Sequence, residues 1–230
     1  MPARATSSKK SSFAAPREQR GGESKKHTGT KRVPRAIREQ QMLDAAIKVF
    51  AEHGYRSSSM DAIAKQAETS KPMLYLYYGS KEELFLACVT RESGRLIDTL
   101  EAQIAPDDSP KLRLKKVISS FLQFVESNAD SWNVVYRQAE AEPPFRQTVT
   151  STRRMFIEMT AELLKRSTSD TYSGEDAELI AVALVGAGEA VADRVANKEV
   201  DQNAAAELVV QLSWGGLAGT NSSPLPRETP

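Results

Sequence analysis

The feature that most constrains this chain is a helical spacing of apolar residues that runs through nearly all of it from Arg35 onward. In the first such segment the apolar side chains recur at mostly three- and four-residue steps, at Ile37, Met42, Leu43, Ala46, Ile47 and Phe50. That spacing places them on one face of an amphipathic helix. No run alternates apolar and polar residues as a half-buried strand would. The sequence therefore predicts an all-α fold of about nine helices.

Charge is distributed unevenly along the chain. Residues 1–34 contain nine Lys/Arg and two Asp/Glu, a net charge of +7, whereas residues 35–91 carry +1 and residues 92–230 carry −7. The first segment has too little apolar surface to offset the entropy of ordering, so we expect a disordered basic arm over 1–34. Such an arm suits a polyanionic partner, and a solvated tail without a partner is the alternative. The last segment, 220–230, has three prolines and is predicted to be a disordered tail.

Several classes of protein do not fit the composition. The single cysteine, Cys88, leaves no internal disulfide framework and suits a cytoplasmic protein. With only His27 and His53 beside it, a metal site of the usual ligand count is not expected, and no cofactor is predicted. No nucleophile with a base and no carboxylate pair stands out, so we expect no enzyme. No apolar run approaches the ~20 residues that a membrane span needs, so no membrane partner is expected.

Two short predicted helices joined by three residues form the most informative local pattern. The first spans 60–67 behind an N-cap at Ser58 or Ser59, and the second spans 71–78 behind an N-cap at Ser70. This is the arrangement of a helix-turn-helix, whose second helix enters the major groove of DNA. Helix pairs of this kind also occur in proteins that never touch DNA. The second helix adds a more specific sign, since side chains pointing away from the predicted packing include a lysine and two tyrosines, at Lys71, Tyr75 and Tyr77.

The stretch from Arg35 to Arg91 resembles the DNA-binding domain of TetR/AcrR-family transcriptional regulators. The positions that carry the resemblance are Gly54-Tyr55, Ile63-Ala64, Leu74-Tyr75-Leu76-Tyr77-Tyr78 and Ser80-Lys81-Glu82-Glu83-Leu84. One departure lies in the turn, where the family usually has Gly-Val and this chain has Glu68-Thr69. Glycine there eases a positive φ, which costs another residue about 1 kcal/mol, so the turn is expected to be slightly reshaped, with an anion near the DNA.

The resemblance implies which residues contact double-stranded DNA. Phosphate contacts are expected from Ser59, Tyr75, Tyr77 and Lys81, although Lys81 has an equal alternative as a local cap or ion-pair partner. Base contacts are expected from Lys71, Pro72 and Met73 at the start of the recognition helix, and the N-cap Ser70 completes the predicted DNA-binding set.

The resemblance also implies the domain order, with a helix-turn-helix domain over 35–80 and a ligand-binding and dimerisation domain over 81–219. Two segments of the second domain are rich in small and apolar residues, which permit close helix packing in a homodimer. The first comprises Leu179, Ile180, Ala183, Leu184, Ala187, Ala190 and Val191, and the second comprises Leu208, Val209, Leu212, Trp214, Leu217 and Ala218. Ordinary core packing within one subunit is the alternative.

Aromatic and sulfur-bearing residues cluster in the middle helices, and they predict either plain core or a pocket for a hydrophobic effector. The predicted ligand-binding set is Phe121, Phe124, Trp132, Tyr136, Met155, Phe156 and Met159. The segment 211–217 and the basic arm resemble, more weakly, actinobacterial members of the family that sense long-chain acyl thioesters, which implies a fatty-acid or acyl-CoA effector.

The sequence thus predicts a sequence-specific regulator that binds a palindromic operator as a dimer and is controlled by a hydrophobic small molecule. Repression is the family's usual mode. An acyl-CoA-responsive activator of lipid genes and a sequence-neutral DNA-coating protein are the alternatives. An effector between the middle helices is expected to shift the fourth helix and so change the spacing of the two recognition helices.

Overall fold

Helices account for almost all of the chain that the computed structural model describes, namely the backbone of residues 34–167 and 174–220 and the side chains of 34–165 and 175–216. Within those ranges there are nine helices and no strand, as predicted. The predicted arm and tail lie almost entirely outside the described residues. The helices are α1 (Arg35–Ser57), α2 (Met60–Gln66), α3 (Lys71–Tyr78), α4 (Lys81–Glu101), α5 (Pro110–Ser127), α6 (the consecutive segments Ala129–Trp132, Asn133–Gln138 and Ala139–Ala141), α7 (Pro143–Ser167), α8 (Gly174–Ala196) and α9 (Gln202–Thr220). The middle segment of α6 is π-helical.

Local capping explains where most of these helices begin. The hydroxyls of Ser59, Ser70, Ser80 and Ser109 each accept a hydrogen bond from the backbone N–H three residues on, at 3.0–3.3 Å. The carboxylate of Asp201 accepts from two N–H groups at the start of α9. Each cap satisfies donors that a helix start leaves without a partner. The sequence also predicts caps at Ser80 and Asp201, and these and the predicted cap at Ser70 are confirmed, with Ser59 rather than Ser58 at the start of α2.

The other boundaries differ slightly from the prediction. The sequence predicts that the first helix ends at Gly54. This residue does have a left-handed backbone, with φ 77°, but a further helical turn follows and α1 ends at Ser57. The helical pattern of the fourth helix extends as far as Ile104, whereas α4 ends three residues earlier, at Glu101.

The helix-turn-helix shares its hydrophobic core with two helices from the middle of the chain. Phe85 of α4 lies 4.9 Å, centroid to centroid, from Phe50 of α1 and 4.4 Å from Phe145 of α7. Val134 and Val135 of α6 belong to the same core. The DNA-binding helices are therefore packed directly on α6 and α7. The predicted boundary between domains at residue 80 stays a prediction.

Two further cores lie in the remainder of the described chain. One joins α5 and α6 to α8 and α9 through residues such as Leu122, Trp132 and Val195. The other joins α4 to α7 around Leu96 and Phe156. Aromatic side chains from α5 and α6 border both.

Candidate DNA interface and effector cavity

The turn between α2 and α3 sets the crossing of the two helices. Glu68 has φ 49°, in the left-handed region. The N–H of Glu68 donates to the carbonyl of Lys65 at 3.2 Å, and that of Thr69 donates to the carbonyl of Ala64 at 2.9 Å. This pair of bonds is a Schellman motif, whose left-handed position glycine usually occupies. Glu68 thus adopts the positive φ that glycine would ease, and the turn is not visibly reshaped by the glutamate.

Helix α3 buries one face and exposes the other. Leu74 is fully buried, and Met73 and Tyr77 are half-buried against the core. On the opposite face Lys71 and Pro72 are exposed, Tyr75 is 42% exposed and Leu76 is 76% exposed. Sequence reasoning missed Leu76, although its position two residues after Leu74 puts it about 200° around the helix from the buried face.

Lys71 forms an ion pair within the helix-turn-helix. Its Nζ lies 2.6 Å from Oδ2 of Asp61 in the first turn of α2, and both side chains are solvent-exposed. The hydrogen bond to this carboxylate raises the pKa of Lys71 above its usual value. The ammonium must exchange this partner before it contacts a base edge.

Lys81 binds the protein's own backbone. Its Nζ donates to the carbonyls of Tyr55 at 2.8 Å, Ser58 at 3.0 Å and Arg56 at 3.3 Å, and it lies 4.5 Å from the centroid of the Tyr55 ring. An ammonium group has three donors, and all three are directed at carbonyls. The geometry favours the local cap that the sequence left as the alternative to a phosphate contact.

The other predicted DNA contacts lie on one side of α2 and α3. Ser59 and Ser70 are exposed N-caps. Each hydroxyl oxygen accepts a hydrogen bond from one backbone N–H, and its second lone pair and its proton remain available for another partner. The guanidinium of Arg35 lies 5.3 Å from the centroid of the Tyr77 ring, which places a cation of α1 beside α3. The structure thus places five of the eight predicted residues on the exposed surface around α3, with Met73 and Tyr77 half-buried beside it and Lys81 bound to backbone carbonyls.

An apolar cavity of about 120 Å³ lies between α4, α5, α6, α7, α8 and α9. Five of the seven predicted ligand-binding residues line it, and they are Phe121, Trp132, Tyr136, Phe156 and Met159. Its other walls include Leu100, Val117, Leu184 and Val209. The cavity is smaller than the ~150 Å³ space that admits benzene in other proteins, so an effector with a long chain must widen it.

Phe124 and Met155 do not line this cavity. Phe124 packs in the core of α4 and α7, with the guanidinium of Arg95 5.7 Å from its ring centroid. Met155 is 40% exposed on α7. Helical spacing alone did not separate these residues from their neighbours, because the cavity lies on only a narrow part of each helix surface.

The small-residue segments of α8 and α9 divide between cavity and surface. Leu184, Val191 and Val209 line the cavity. Among the other described residues, Leu179, Leu208 and Leu212 give these helices an exposed apolar surface, with 59%, 66% and 74% of their side chains exposed, while the side chains of Leu217 and Ala218 lie outside the described residues. Apolar side chains this exposed on two neighbouring helices mark a surface suited to a partner.

None of the helices in the described part of the chain has the length and apolar character that crossing a membrane requires.

Comparisons with known proteins cover both halves of the chain. Residues 42–88 match the family model "Bacterial regulatory proteins, tetR family", and residues 110–216 match "Tetracyclin repressor-like, C-terminal domain". The transcriptional activator FasR of Mycolicibacterium smegmatis is 30% identical over 206 residues, which are 87% of this chain and 93% of FasR. The fatty acid metabolism regulator protein of Bacillus subtilis is 37% identical over 79 residues, 34% of this chain and 41% of that protein. The crystal structure of a TetR-like transcriptional regulator from Rhodococcus sp. RHA1 is 54% identical, superposes with a TM-score of 0.74, and covers 82% of this chain and 100% of that one.

Proposed function

The chain belongs to the TetR family of DNA-binding transcription regulators, and from that premise we propose that it is a cytoplasmic repressor that binds a palindromic operator as a homodimer. A hydrophobic effector in the cavity between α5 and α8 releases it from the operator. Two copies related by a two-fold axis present two α3 helices to half-sites about one turn of DNA apart.

The observation that carries the proposal is the exposed face of α3. A solvated helix face usually carries charged side chains, whereas this one presents Pro72, Tyr75 and Leu76 beside Lys71. Apolar groups on a recognition helix contact thymine methyls, and a lysine donates to guanine O6 and N7. That placement supports the proposed DNA-binding roles.

The remaining contacts position the helix on the duplex. Ser59, Ser70, Tyr75 and Tyr77 offer hydroxyls to phosphate oxygens, and Lys71, Pro72, Met73 and Leu76 meet base edges. Lys71 reaches its base by leaving Asp61. Lys81 acts on DNA through the backbone that it holds, since its three acceptor carbonyls lie in the last turn of α1 and at Ser58, directly before Ser59.

A titration of operator DNA tests the proposal. The operator is sought in the DNA that flanks the gene, as a palindrome protected from nuclease digestion by the protein. Lys71→Ala and Leu76→Ala are each expected to weaken operator binding by about tenfold, and to reduce the preference over scrambled DNA, because each removes a base contact of about 1–3 kcal/mol. The matched control is Leu112→Ala, which removes an equally apolar side chain that is 43% exposed on α5, outside the helix-turn-helix.

Equal affinity of the unmodified protein for operator and scrambled DNA would contradict sequence-specific regulation. It would favour a sequence-neutral coating protein, whose affinity comes from phosphate contacts alone.

The effector part of the proposal rests on the cavity. Its walls are almost entirely aliphatic and aromatic, and it lies between α4, which continues from the helix-turn-helix, and the helices with the exposed apolar surface. A ligand there changes operator affinity only to the extent that it binds the DNA-binding conformation and the released conformation with unequal affinity. Because a relative regulates fatty acid metabolism by its name, acyl compounds are the first effectors to test. We expect them to lower operator affinity, and Phe156→Ala to abolish that response.

A second candidate function is an activator that responds to an acyl compound. It is favoured by FasR, a transcriptional activator that this chain matches over most of the length of both proteins. A reporter gene behind the operator decides between the two. Repression predicts higher expression when the regulator is deleted, and activation predicts lower expression.

A further inference from the structure

The apolar cavity adjoins a second, polar compartment. This compartment has a volume of about 230 Å³ and lies between α6, α7 and α8. Trp132, Tyr136 and Glu189 line both spaces. A ligand that fills the apolar cavity therefore has its other end directed toward a polar chamber, and these three side chains stand at the boundary.

Tyr136 carries an unused hydrogen-bonding group at that boundary. Its hydroxyl oxygen is buried and has no hydrogen-bond partner among the residues that the structure describes. The ring stacks on Trp132, with 4.1 Å between centroids and 23° between planes, so its position is fixed. A buried hydroxyl without a partner costs about 1–3 kcal/mol, and such groups in native structures are usually satisfied by something.

The polar compartment carries more acid than base. Its walls hold the carboxylates of Glu140, Glu189 and Asp193 and the guanidiniums of Arg137 and Arg153. Both guanidiniums already have carboxylate partners, since Arg137 pairs with Asp193, and Arg153 lies 2.7 Å from Glu189. Asp193 also accepts a hydrogen bond from Nε1 of Trp132 at 3.0 Å.

These charges decide what Tyr136 can hold. An incoming anion would meet a compartment with a formal charge of −1 and would lose its hydration without gaining a free cation. Burial and the nearby Glu189 carboxylate both raise the pKa of Tyr136, so the phenol remains a proton donor. A neutral acceptor takes that hydrogen bond without any charge penalty.

We propose that Tyr136 is the polar anchor of the effector, and that the group it binds is a neutral carbonyl, as in an ester, thioester or amide, and not a free carboxylate. The apolar part of the effector lies in the cavity beside Phe121 and Met159, and the remainder passes into the polar compartment. This inference rests on the proposed effector control, and it selects the chemical class of the effector.

Binding of methyl octanoate and of octanoate to the full-length protein tests the inference. Trp132 is the reporter, because Trp214→Phe removes the other of the two tryptophans and leaves Trp132 in the wall of the cavity. At pH 7.5 the ester is expected to bind at least tenfold more tightly than the carboxylate. Tyr136→Phe keeps the ring and the stacking but removes the hydroxyl, and is expected to weaken ester binding five- to tenfold.

One further variant and two matched controls make the result specific. Tyr78→Phe removes a tyrosine hydroxyl in the helix-turn-helix, where it donates to the carbonyl of Glu39, and is expected to leave ester binding unchanged. Glu189→Gln removes one acidic charge from the boundary and is expected to strengthen octanoate binding several-fold. Glu158→Gln removes one acidic charge from an exposed ion pair with Arg154 and is expected to leave octanoate binding unchanged.

The inference is wrong if octanoate binds as tightly as its methyl ester. It is also wrong if the Tyr136→Phe variant binds the ester with the same affinity as the protein with Tyr136. Operator titrations in the presence of each probe separate this failure from failure of the proposed function. If the probes bind and lower operator affinity equally in the Tyr136→Phe variant, only the proposed role of Tyr136 is wrong and the effector control stands. Probes that neither change Trp132 fluorescence nor affect operator binding overturn the anchor together with the effector control.

Discussion

Glu68 holds a left-handed backbone that an L-residue adopts at a cost of about 1–2 kcal/mol, whereas glycine adopts it freely. Replacement by glycine removes that cost but adds flexibility to the unfolded chain, so Glu68→Gly is expected to raise the free energy of unfolding by about 0.5–1 kcal/mol. Urea denaturation at fixed protein concentration measures the change. Because Glu68 lies at the edge of the α3 surface, the same substitution is expected to tighten operator binding.

Two variants separate backbone strain from charge at this turn. Lys198 follows α8 in the same left-handed conformation, with φ 58°. Lys198→Gly should therefore stabilise the protein by a similar amount without changing DNA affinity. Glu68→Gln keeps the strain and removes the anion, so it should tighten DNA binding without stabilisation. Unchanged stability in both glycine variants would show that neither turn is strained.

Helix α4 carries a buried ion-pair network that ties the DNA-binding helices to the rest of the molecule. Glu92 is 2% exposed, and its carboxylate oxygens lie 2.6 Å from the guanidiniums of Arg91 and Arg95. Arg91 also lies 2.7 Å from Asp44 of α1, and Arg95 donates to Asn128 before α6 at 3.0 Å. The network thus spans α1, α4 and the turn after α5.

Neutralising the centre of this network is expected to be costly. Glu92→Gln keeps the side-chain volume but leaves the half-buried Arg91 without its inner carboxylate, so we expect a loss of about 3 kcal/mol in the free energy of unfolding. The exposed pair of Arg154 and Glu158 supplies the comparison, and Glu158→Gln should cost no more than about 0.5 kcal/mol. Equal effects in the two variants would mean that burial adds nothing to the Glu92 pairs.

Helices and caps were predictable from the sequence because their causes are local. The hydroxyls of Ser59, Ser70 and Ser80 bond within three residues of themselves, so a window of a few positions contains the whole interaction. The partners of Lys71 and Lys81 lie 10 to 26 residues away and depend on how helices cross. Spacing alone therefore did not predict the ion pair of Lys71, and it left the role of Lys81 open.

The candidate effector site shows the same division. Five aromatic and sulfur-bearing residues predicted for it line the cavity, since they share the inner faces of α5, α6 and α7. The polar compartment beyond Tyr136 was not predicted. Its charged residues come from three helices and read as ordinary solvated positions along the sequence, and only their packing brings them together.

At the scale of the whole molecule, α6 is the physical link between cavity and DNA-binding helices. Tyr136 faces the cavity, while Val134 and Val135 pack in the core of the helix-turn-helix. Gln138 donates from Nε2 to the carbonyl of Phe50 in α1 at 2.8 Å. All four residues lie in the π-helical segment of α6, and such segments often occur at functional sites. A ligand that displaces Tyr136 acts directly on the element that holds α1.

The basic arm is expected to supply much of the electrostatic attraction to DNA. Residues 35–91 carry a net charge of only +1, against +7 for residues 1–34. Each phosphate that the protein neutralises steepens the fall of log affinity with log salt by about 0.9. Deletion of residues 1–30 should therefore weaken operator binding. It should also reduce the slope of log affinity against log salt by about 0.9 for each phosphate contact that the arm makes. An unchanged slope across a salt series would show that the arm does not contact the DNA.

The exposed apolar surface of α8 and α9 leads to the prediction that the protein dimerises through it. Leu208 and Leu212 are 66% and 74% exposed one helical turn apart, and Leu179 of α8 adds a third large apolar side chain. Leu212→Arg puts a charge into the centre of that surface, where burial without a partner costs several kcal/mol. We expect a monomer by analytical ultracentrifugation, and operator affinity at least a hundredfold lower, because one recognition helix then binds one half-site.

Leu112→Arg is the matched control for the dimer. It introduces the same charge at a leucine on α5 that is 43% exposed and belongs to neither helix of the proposed interface. This variant should remain dimeric and bind the operator normally. If Leu212→Arg also stays dimeric, the two subunits meet elsewhere, and the exposed surface needs another partner. If it becomes monomeric yet retains full operator affinity, the two recognition helices do not act together, and the operator need not be a palindrome.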